Sequence, residues 1–143
     1  VTPARANIGT LSCNPSMGGV GKGALLREID ALDGAAARAA DAAGIHFRVL
    51  NGSKGPAVHG PRVQVDREEY RRSMGRLLED YKEHLVVREG RVEDLLLKGD
   101  TGSDNTRVDG VVLDSGERVA ADSVVITTGT FLRAEIRIGL QST

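Results

Sequence analysis

The stretch Leu11–Gly23 reads L-S-C-N-P-S-M-G-G-V-G-K-G and joins the chain's single cysteine and an Asn-Pro pair to four glycines around a lysine. A helical pattern follows it directly. Glycine at this density costs backbone entropy, so it marks places where the backbone closely approaches a ligand or another segment. We therefore interpret this stretch as a ligand-facing glycine loop that opens a helix.

Two nucleotide-binding motifs nearly match this loop, and both fail. The phosphate loop would use Lys22, but Ser16 stands where it needs glycine, and Gly23 supplies no hydroxyl for magnesium. The dinucleotide fingerprint should follow a hydrophobic strand, whereas the residues before this match, 12–15, make a poor strand end. The positions that match the fingerprint are Gly19, Gly21 and Ala24.

Composition excludes several classes of protein. The 143 residues allow one domain with an adequate core, and the formal net charge of −1 gives no argument for or against nucleic-acid binding. Aromatic residues make up 3% and tryptophan is absent, which disfavours a stacking platform for single-stranded nucleic acid. One cysteine forms no internal disulfide, so a reducing compartment is indicated. No apolar run approaches the roughly 20 residues of a membrane span.

Apolar spacing predicts three helices in the first part of the chain. The first runs over 23–32, and an alanine-rich second runs over 35–43, with Gly44 as its stop. The third follows Asp66 as N-cap and extends to about His84. Its predicted buried residues are Tyr70, Met74, Leu77, Leu78 and Tyr81.

Strand patterns surround the third helix and dominate the second half. Alternation predicts a half-buried strand over 45–50, with Ile45, Phe47 and Val49 on one face. A loop is predicted over 51–61, and a short extended piece over 62–65. Further strands are predicted over 85–88, 92–97, 108–113 and 118–120, the last two forming a hairpin. The apolar run 123–127 suits a central parallel strand. This order predicts an α/β fold with a small β insert.

Several side chains have a functional and a structural interpretation. Cys13 in a generic chain is a small buried hydrophobe, but beside a glycine loop that opens a helix its thiolate would be stabilised. Lys22 and Lys54 lie in glycine-flanked loops, where a lysine meets a phosphate or an anionic ring without obstruction, although solvated charge is the simpler explanation. The three histidines match no ligand spacing, so we predict no metal site.

Five ordered blocks of the sequence resemble the MnmG (GidA) family of tRNA uridine-modifying flavoproteins. They span nearly the whole chain, and several pieces look more similar to its mitochondrial branch than to its bacterial one. The blocks are S-C-N-P-x-x-G-G-V-G-K-G at 12–23, R-E-I-D-A-L-D-G at 27–34, F-R-V-L-N-x-S-K-G-P-A-V at 47–58 continuing into R-x-Q-x-D-R at 62–67, V-E-D-L at 92–95, and T-x-G-T-F-L at 127–132 with I-x-I-G-L at 136–140.

The resemblance implies part of a Rossmann-like FAD-binding domain from an enzyme that adds an aminomethyl-type group to carbon 5 of the wobble uridine of tRNA. It implies NADH as reductant, methylenetetrahydrofolate as carbon donor, an MnmE-type GTPase partner and a homodimer in the full-length protein. The location implied is the mitochondrion, with the bacterial cytoplasm as the alternative. We expect residues 1–143 to be one piece of that domain, cut from a longer chain and inactive alone.

The resemblance also assigns residue roles. Cys13 matches the family's candidate catalytic thiol, and Val92 matches a backbone contact to the cofactor, although core packing also explains a valine there. Gly129 follows the predicted strand at its carboxyl end, where ligands of open α/β sheets gather, and a tight turn is the alternative. The cofactor-binding residues predicted are Val92, Thr128, Gly129, Thr130, Asn14, Gly18, Gly19 and Lys22. From the residues alone, a noncatalytic nucleotide-binding or interaction module remains the alternative.

Overall fold

The computed structural model describes residues 1–99, 102, 104–129, 137–138 and 141–142, the last four by their backbone. The chain forms two compact units, Val1–Gly90 and Arg91–Thr143. Both antiparallel sheets and helices are present, so the predicted α/β class is confirmed. No helix of the described residues is long and apolar enough to cross a membrane.

The first unit packs three helices with a three-stranded antiparallel sheet of order β1-β3-β2. Two short 3₁₀ turns, Arg5–Asn7 and Pro56–Val58, complete it. Its strands are β1 (Ser16–Gly18), β2 (Gly44–Leu50) and β3 (Gly60–Val65), and its helices are α1 (Lys22–Ala31), α2 (Ala35–Ala42) and α3 (Arg67–Glu79).

Small side chains bring α2 close to the sheet. Ala39 and Ala40 are completely buried, and they form one core cluster with residues of α3 and β3. Alanine adds almost no bulk at a contact, so the helix backbone approaches its neighbours closely. The other buried members of the cluster are Ala43, Val63, Val65 and Tyr70. Both predicted helices of this region are confirmed within one residue at each end.

The third helix begins as predicted and ends earlier. The Asp66 carboxylate accepts a hydrogen bond from the Glu69 N–H at 2.8 Å, which satisfies an otherwise unpaired donor of the first turn. The regular helix stops at Glu79, because Tyr81 and the residue after it close tighter turns onto carbonyls three residues back. Tyr70 is buried, whereas Tyr81 is exposed, so its predicted burial is wrong.

Strand β2 is confirmed, but its apolar face is not half-buried. Phe47 is 61% exposed, and Ile45 and Val49 are exposed as well. Strand β2 is one edge of the sheet, and Phe47 and Val49 border a concavity instead of a packed layer. Alternation reports which residues share a face, but a second layer must be present to bury that face.

Burial of Tyr70 makes stability depend on alkaline pH. Burial disfavours the phenolate and raises the pKa of Tyr70 above its ordinary value. The buried neutral phenol contributes to the free energy of unfolding. This contribution is complete below the pKa of about 10 that tyrosine has in the unfolded chain, and it is lost as pH rises through the higher pKa of Tyr70 in the folded protein. We expect urea unfolding to show a steeper loss of stability above about pH 10 in wild type than in Tyr70→Phe. Equal pH slopes in the two proteins would contradict this.

The second unit is a three-stranded antiparallel sheet of order β4-β5-β6 with a short ladder near the C-terminus. Strand β4 and the predicted hairpin are confirmed, and the hairpin turns over residues 114–117. The buried apolar side chains of this sheet are Val111 and Leu113, both on its central strand. The strands are β4 (Val92–Lys98), β5 (Arg107–Leu113), β6 (Arg118–Ala120), β7 (Arg137–Ile138) and β8 (Gln141–Ser142).

Two predicted strands do not form. Residues 85–88 are held by contacts to the N-terminal residues instead: the Arg88 carbonyl accepts from the Thr2 N–H at 2.9 Å, and the Val87 carbonyl accepts from the Arg5 guanidinium at 2.7 Å. Residues 123–128 have no regular structure, and Val125 and Ile126 are 83% and 63% exposed. A central parallel strand needs a neighbour on each side, whereas the named strands β1 to β8 pair with one another in antiparallel fashion, and the isolated bridge between Thr2 and Glu89 is parallel.

Candidate functional site

The glycine-rich segment is partly a strand. Ser16 pairs with Gln64 and Gly18 with Arg62, so residues 16–18 form the β1 edge of the first sheet. The Val65 N–H donates to the Pro15 carbonyl at 2.8 Å, which extends this attachment upstream. The interpretation of the whole segment as a loop is therefore wrong for residues 16–18.

The glycines of this segment divide into two groups. A Cβ at Gly18 would lie 2.0 Å from the Pro61 carbonyl oxygen, and one at Gly23 would lie 2.8 Å from Pro61 Cδ. These two glycines permit close approach of two parts of the chain. By contrast, Gly19 and Gly21 have φ of +126° and +79°, and a Cβ at either would meet no described atom within 4 Å. The second pair leaves open space beside the backbone.

Cys13 is exposed and its thiol is free, so the buried interpretation does not apply. The Oγ of the neighbouring Ser12 lies 4.0 Å from its Sγ. Strand β1 lies between Cys13 and the start of α1. The guanidinium of Arg67, the first residue of α3, donates hydrogen bonds to the carbonyl oxygens of Leu11 and Cys13.

Two polar residues beside this segment remain accessible. Asn14 is exposed, and its carbonyl accepts from the Ser16 N–H at 2.8 Å, forming a tight turn into β1. Lys22 is the first residue of α1 and its side chain is exposed. The first N–H groups of a helix attract anions, and a lysine there adds a further positive charge.

The loop after β2 is held in shape by its own polar groups. The Asn51 Nδ2 donates to the Val58 carbonyl at 3.2 Å, and His59 Nε2 lies 3.2 Å from the Gly52 carbonyl oxygen. These contacts leave Lys54 exposed at the tip. The loop predicted over 51–61 is thus confirmed through residue 59, apart from the short 3₁₀ turn, and β3 begins at residue 60.

In the second unit, Val92 presents its backbone at a sheet edge. Leu113 of β5 lies opposite Val92, and its N–H donates to the Glu117 carbonyl, on the side of β6. The Asp114 N–H donates to the Arg91 carbonyl at 2.8 Å. Val92 and Leu113 are therefore a non-hydrogen-bonded pair, in which both backbone groups of Val92 point away from β5. Strand β4 is the edge strand, and no other described strand pairs on that side.

The end of the chain's predicted central strand is also open. Thr128 and Gly129 are exposed, and Gly129 has φ of +60°, with no described atom within 4 Å of the place that a Cβ would take. Thr130 lies outside the described residues. A glycine here satisfies the conformation of a turn, and no described side chain occupies the space beside it.

Two concavities belong to the first unit. One of about 490 Å³ is lined by α3, the residues after it and the N-terminal turn, and includes Arg5, Arg71 and Lys82. The other, of about 390 Å³, is mainly apolar and includes Met17, Gly18 and Phe47. Across the part of the chain that the structure describes, no cluster of three or more His, Cys, Asp or Glu residues is arranged to hold a metal ion.

The fold and the glycine-rich segment 11–23 define the class of protein: it is a mixed α/β protein with an exposed thiol beside a glycine-rich strand. The family model of glucose inhibited division protein A (GIDA) matches residues 1–143, and the chain belongs to this family. The resemblance predicted from the five sequence blocks is thereby confirmed.

Relatives come from bacteria and from mitochondria. The tRNA uridine 5-carboxymethylaminomethyl modification enzyme MnmG of Granulibacter bethesdensis is 52% identical over 141 residues, covering 99% of this chain and 22% of the relative. The mitochondrial 5-taurinomethyluridine-[tRNA] synthase subunit MTO1 of Macaca fascicularis is 52% identical over 137 residues. The match covers 94% of this chain and 20% of the relative. The chain therefore spans about a fifth of the length of these relatives.

Solved structures agree with the fold. The form II crystal structure of Aquifex aeolicus GidA is similar with a TM-score of 0.82 and 41% identity, over 98% of this chain and 22% of that one. The form I crystal structure gives a TM-score of 0.83 and 40% identity, over 99% of this chain and 22% of that one. This likeness supports the confirmed α/β class and the family membership together.

Proposed function

We propose that this chain is part of an FAD-dependent enzyme that modifies carbon 5 of the wobble uridine in tRNA. Family membership over residues 1–143 is the observation that carries the proposal. The relatives' names support it, since MnmG is named as a tRNA uridine modification enzyme and MTO1 as a subunit of a 5-taurinomethyluridine-[tRNA] synthase. Both compact units are proposed to belong to one FAD-binding domain.

In the first unit, the residues proposed to contact the cofactor are those with accessible surface or backbone. Gly19 has open space beside it, Asn14 is exposed, and Lys22 combines a positive charge with the start of α1. These features suit the anionic diphosphate of a dinucleotide. Gly18 fits less well, because its missing side chain is already explained by the approach of Pro61.

In the second unit, backbone groups suit the cofactor. The outward N–H and C=O of Val92 provide the donor and acceptor that an adenine edge requires. The open space at Gly129 supports the approach of a flat ring, and Thr128 and Thr130 are proposed to contact the cofactor beside it. When bound, the flavin supplies the two-electron redox chemistry of the reaction.

Cys13 is proposed as the catalytic thiol. Cys13 is exposed and forms no disulfide bond. Its own carbonyl accepts a hydrogen bond from Arg67 of α3, and the backbone after it is attached to β3 at Pro15. A fixed backbone restricts where the thiol lies, which is what a nucleophile requires for attack on a substrate carbon. Serine and threonine hydroxyls are much weaker nucleophiles at neutral pH than a thiolate.

The remaining components of the reaction are proposed for the longer protein. They are NADH as flavin reductant, methylenetetrahydrofolate as carbon donor, an MnmE-type GTPase as partner and a homodimer as assembly. We propose a mitochondrial location with the bacterial cytoplasm as the alternative, since relatives of both origins are 52% identical.

The flavin assignment is tested by Gly129→Val in the full-length protein. Both Gly129 and Gly102 have positive φ, +60° and +88°, and both have open space around a Cβ. The conformational cost of a side chain, about 1–2 kcal/mol, is therefore matched between the two positions. We expect Gly129→Val to lower the FAD content of the purified protein, measured by absorbance, while Gly102→Val retains it.

Equal FAD content in the two variants would remove Gly129 from the flavin site and leave the turn as its explanation. A wild-type full-length protein without flavin and without activity on tRNA would instead overturn the proposed function, and the noncatalytic module would take its place.

A further inference from the structure

The R-x-Q-x-D-R block at residues 62–67 attaches the S-C-N-P block to the fold. The Arg62 guanidinium donates to Ser16 Oγ at 3.3 Å, Gln64 pairs with the Ser16 backbone, and the Val65 N–H donates to the Pro15 carbonyl at 2.8 Å. These contacts fix the segment downstream of Cys13. They leave residues 11–13 to be held by something else.

Arg67 holds the upstream part. Its Nη1 donates to the Leu11 carbonyl and its Nη2 to the Cys13 carbonyl, so one guanidinium bridges two peptide groups on either side of Ser12. Hydrogen bonds from a charged donor are roughly twice as strong as neutral ones. Both of these hydrogen bonds connect residues 11–13 to the first turn of α3.

The base of the Arg67 side chain is itself fixed. The preceding residue, Asp66, caps α3 through Glu69 and donates its own N–H to the Ala43 carbonyl at 2.9 Å, at the end of α2. Arg67 therefore starts from a backbone position tied to two helices. Rigid support of this kind is what holds a reactive group in place.

We propose that Arg67 is a positioning residue for Cys13: it fixes the peptide of the thiol without touching the substrate. The proposal rests on the proposed function of Cys13. Lysine cannot replace it, because a single ammonium does not reproduce the planar fork that reaches two carbonyls together. Loss of the bridge leaves the protein folded but lets residues 11–13 move away from the reactive position.

Arg67→Lys in the full-length protein tests the proposal, with Arg72→Lys as the control. Arg72 lies on the same helix and forms an exposed ion pair with Glu69 at 2.8 Å, away from the Cys13 segment. One measurement is the rate at which thermolysin cleaves the Thr10–Leu11 bond. We expect it to rise about tenfold in Arg67→Lys, because cleavage follows local opening.

The second measurement is tRNA modification. We expect kcat to fall about tenfold or more in Arg67→Lys, with KM for tRNA changed by less than about twofold, because misplacement of a reactive group costs rate without costing substrate binding. Arg72→Lys should match wild type in both measurements. Arg67→Gln is a second variant that decides the outcome if Arg67→Lys loses its fold, as judged by circular dichroism.

Cleavage and kcat that are the same in Arg67→Lys, Arg72→Lys and wild type would overturn the proposal. So would faster cleavage with an unchanged kcat, because the bridge would then hold the loop without positioning the thiol. If the wild-type protein modifies no tRNA, the proposed function fails, and the positioning role fails with it. Unchanged cleavage in an active protein overturns the positioning role alone.

Discussion

Replacing Cys13 by serine in the full-length enzyme is expected to lower the rate of tRNA modification about a hundredfold or more, with flavin content and folding retained. Serine preserves size but lacks the nucleophilicity of a thiolate. Because Cys13 is exposed and outside the core, the change should alter stability by no more than about 0.5 kcal/mol. The measurements are single-turnover modification of tRNA, flavin absorbance and thermal unfolding.

Ser12→Ala is the matched control, because this neighbouring hydroxyl is also exposed and lies 4.0 Å from the thiol sulfur. It should retain the wild-type rate within about threefold, as expected of a surface position that carries no chemistry. A normal rate in Cys13→Ser would show that the thiol is not catalytic.

Adding a methyl group at Gly23 is expected to destabilise the first unit. The Cβ would lie 2.8 Å from Pro61 Cδ and 2.9 Å from its carbonyl oxygen. Both atoms belong to a ring or to backbone, so neither moves without shifting the β3 strand. We expect Gly23→Ala to lower the free energy of unfolding by about 1–3 kcal/mol, measured by urea denaturation.

Gly75→Ala is the control for helix propensity. Gly75 also lies in a helix, α3, and a Cβ there would meet no described atom within 4 Å. Alanine should stabilise this position by about 0.5–1 kcal/mol, because it loses less backbone entropy on folding. The two substitutions are thus predicted to have opposite signs, and a stabilising Gly23→Ala would contradict the close approach of Pro61.

Local pattern predicts the elements well and their burial less well. The Asp66 cap and the hairpin at 108–120 depend on a few neighbouring residues, and both are predictable from the sequence. The exposure of Phe47 and of Val125 depends on which other elements cover them, and apolar spacing carries no such information. For the same reason, the apolar run 123–127 indicates a parallel strand that has no partner among the described residues.

The candidate site shows a similar division. Glycine density predicts close approach of the backbone to a ligand or to another segment, but it does not say which; in the structure Gly18 and Gly23 approach Pro61, which is distant in sequence. The sequence motif that contains Arg67 gives this residue no role, because its partners Leu11 and Cys13 are separated from it by 56 and 54 residues. Only a folded structure connects side chains over such distances in the chain.

The exposed apolar side chains also have a practical consequence for work with the isolated polypeptide. Val125 and Ile126 are neighbours in a stretch without regular structure, and edge strand β2 exposes Phe47 on one face. Uncovered backbone and apolar surface of this kind favour pairing with a second molecule. Concentrated solutions of the 143-residue polypeptide should therefore be prone to self-association, so handling it calls for dilution or a solubilising partner.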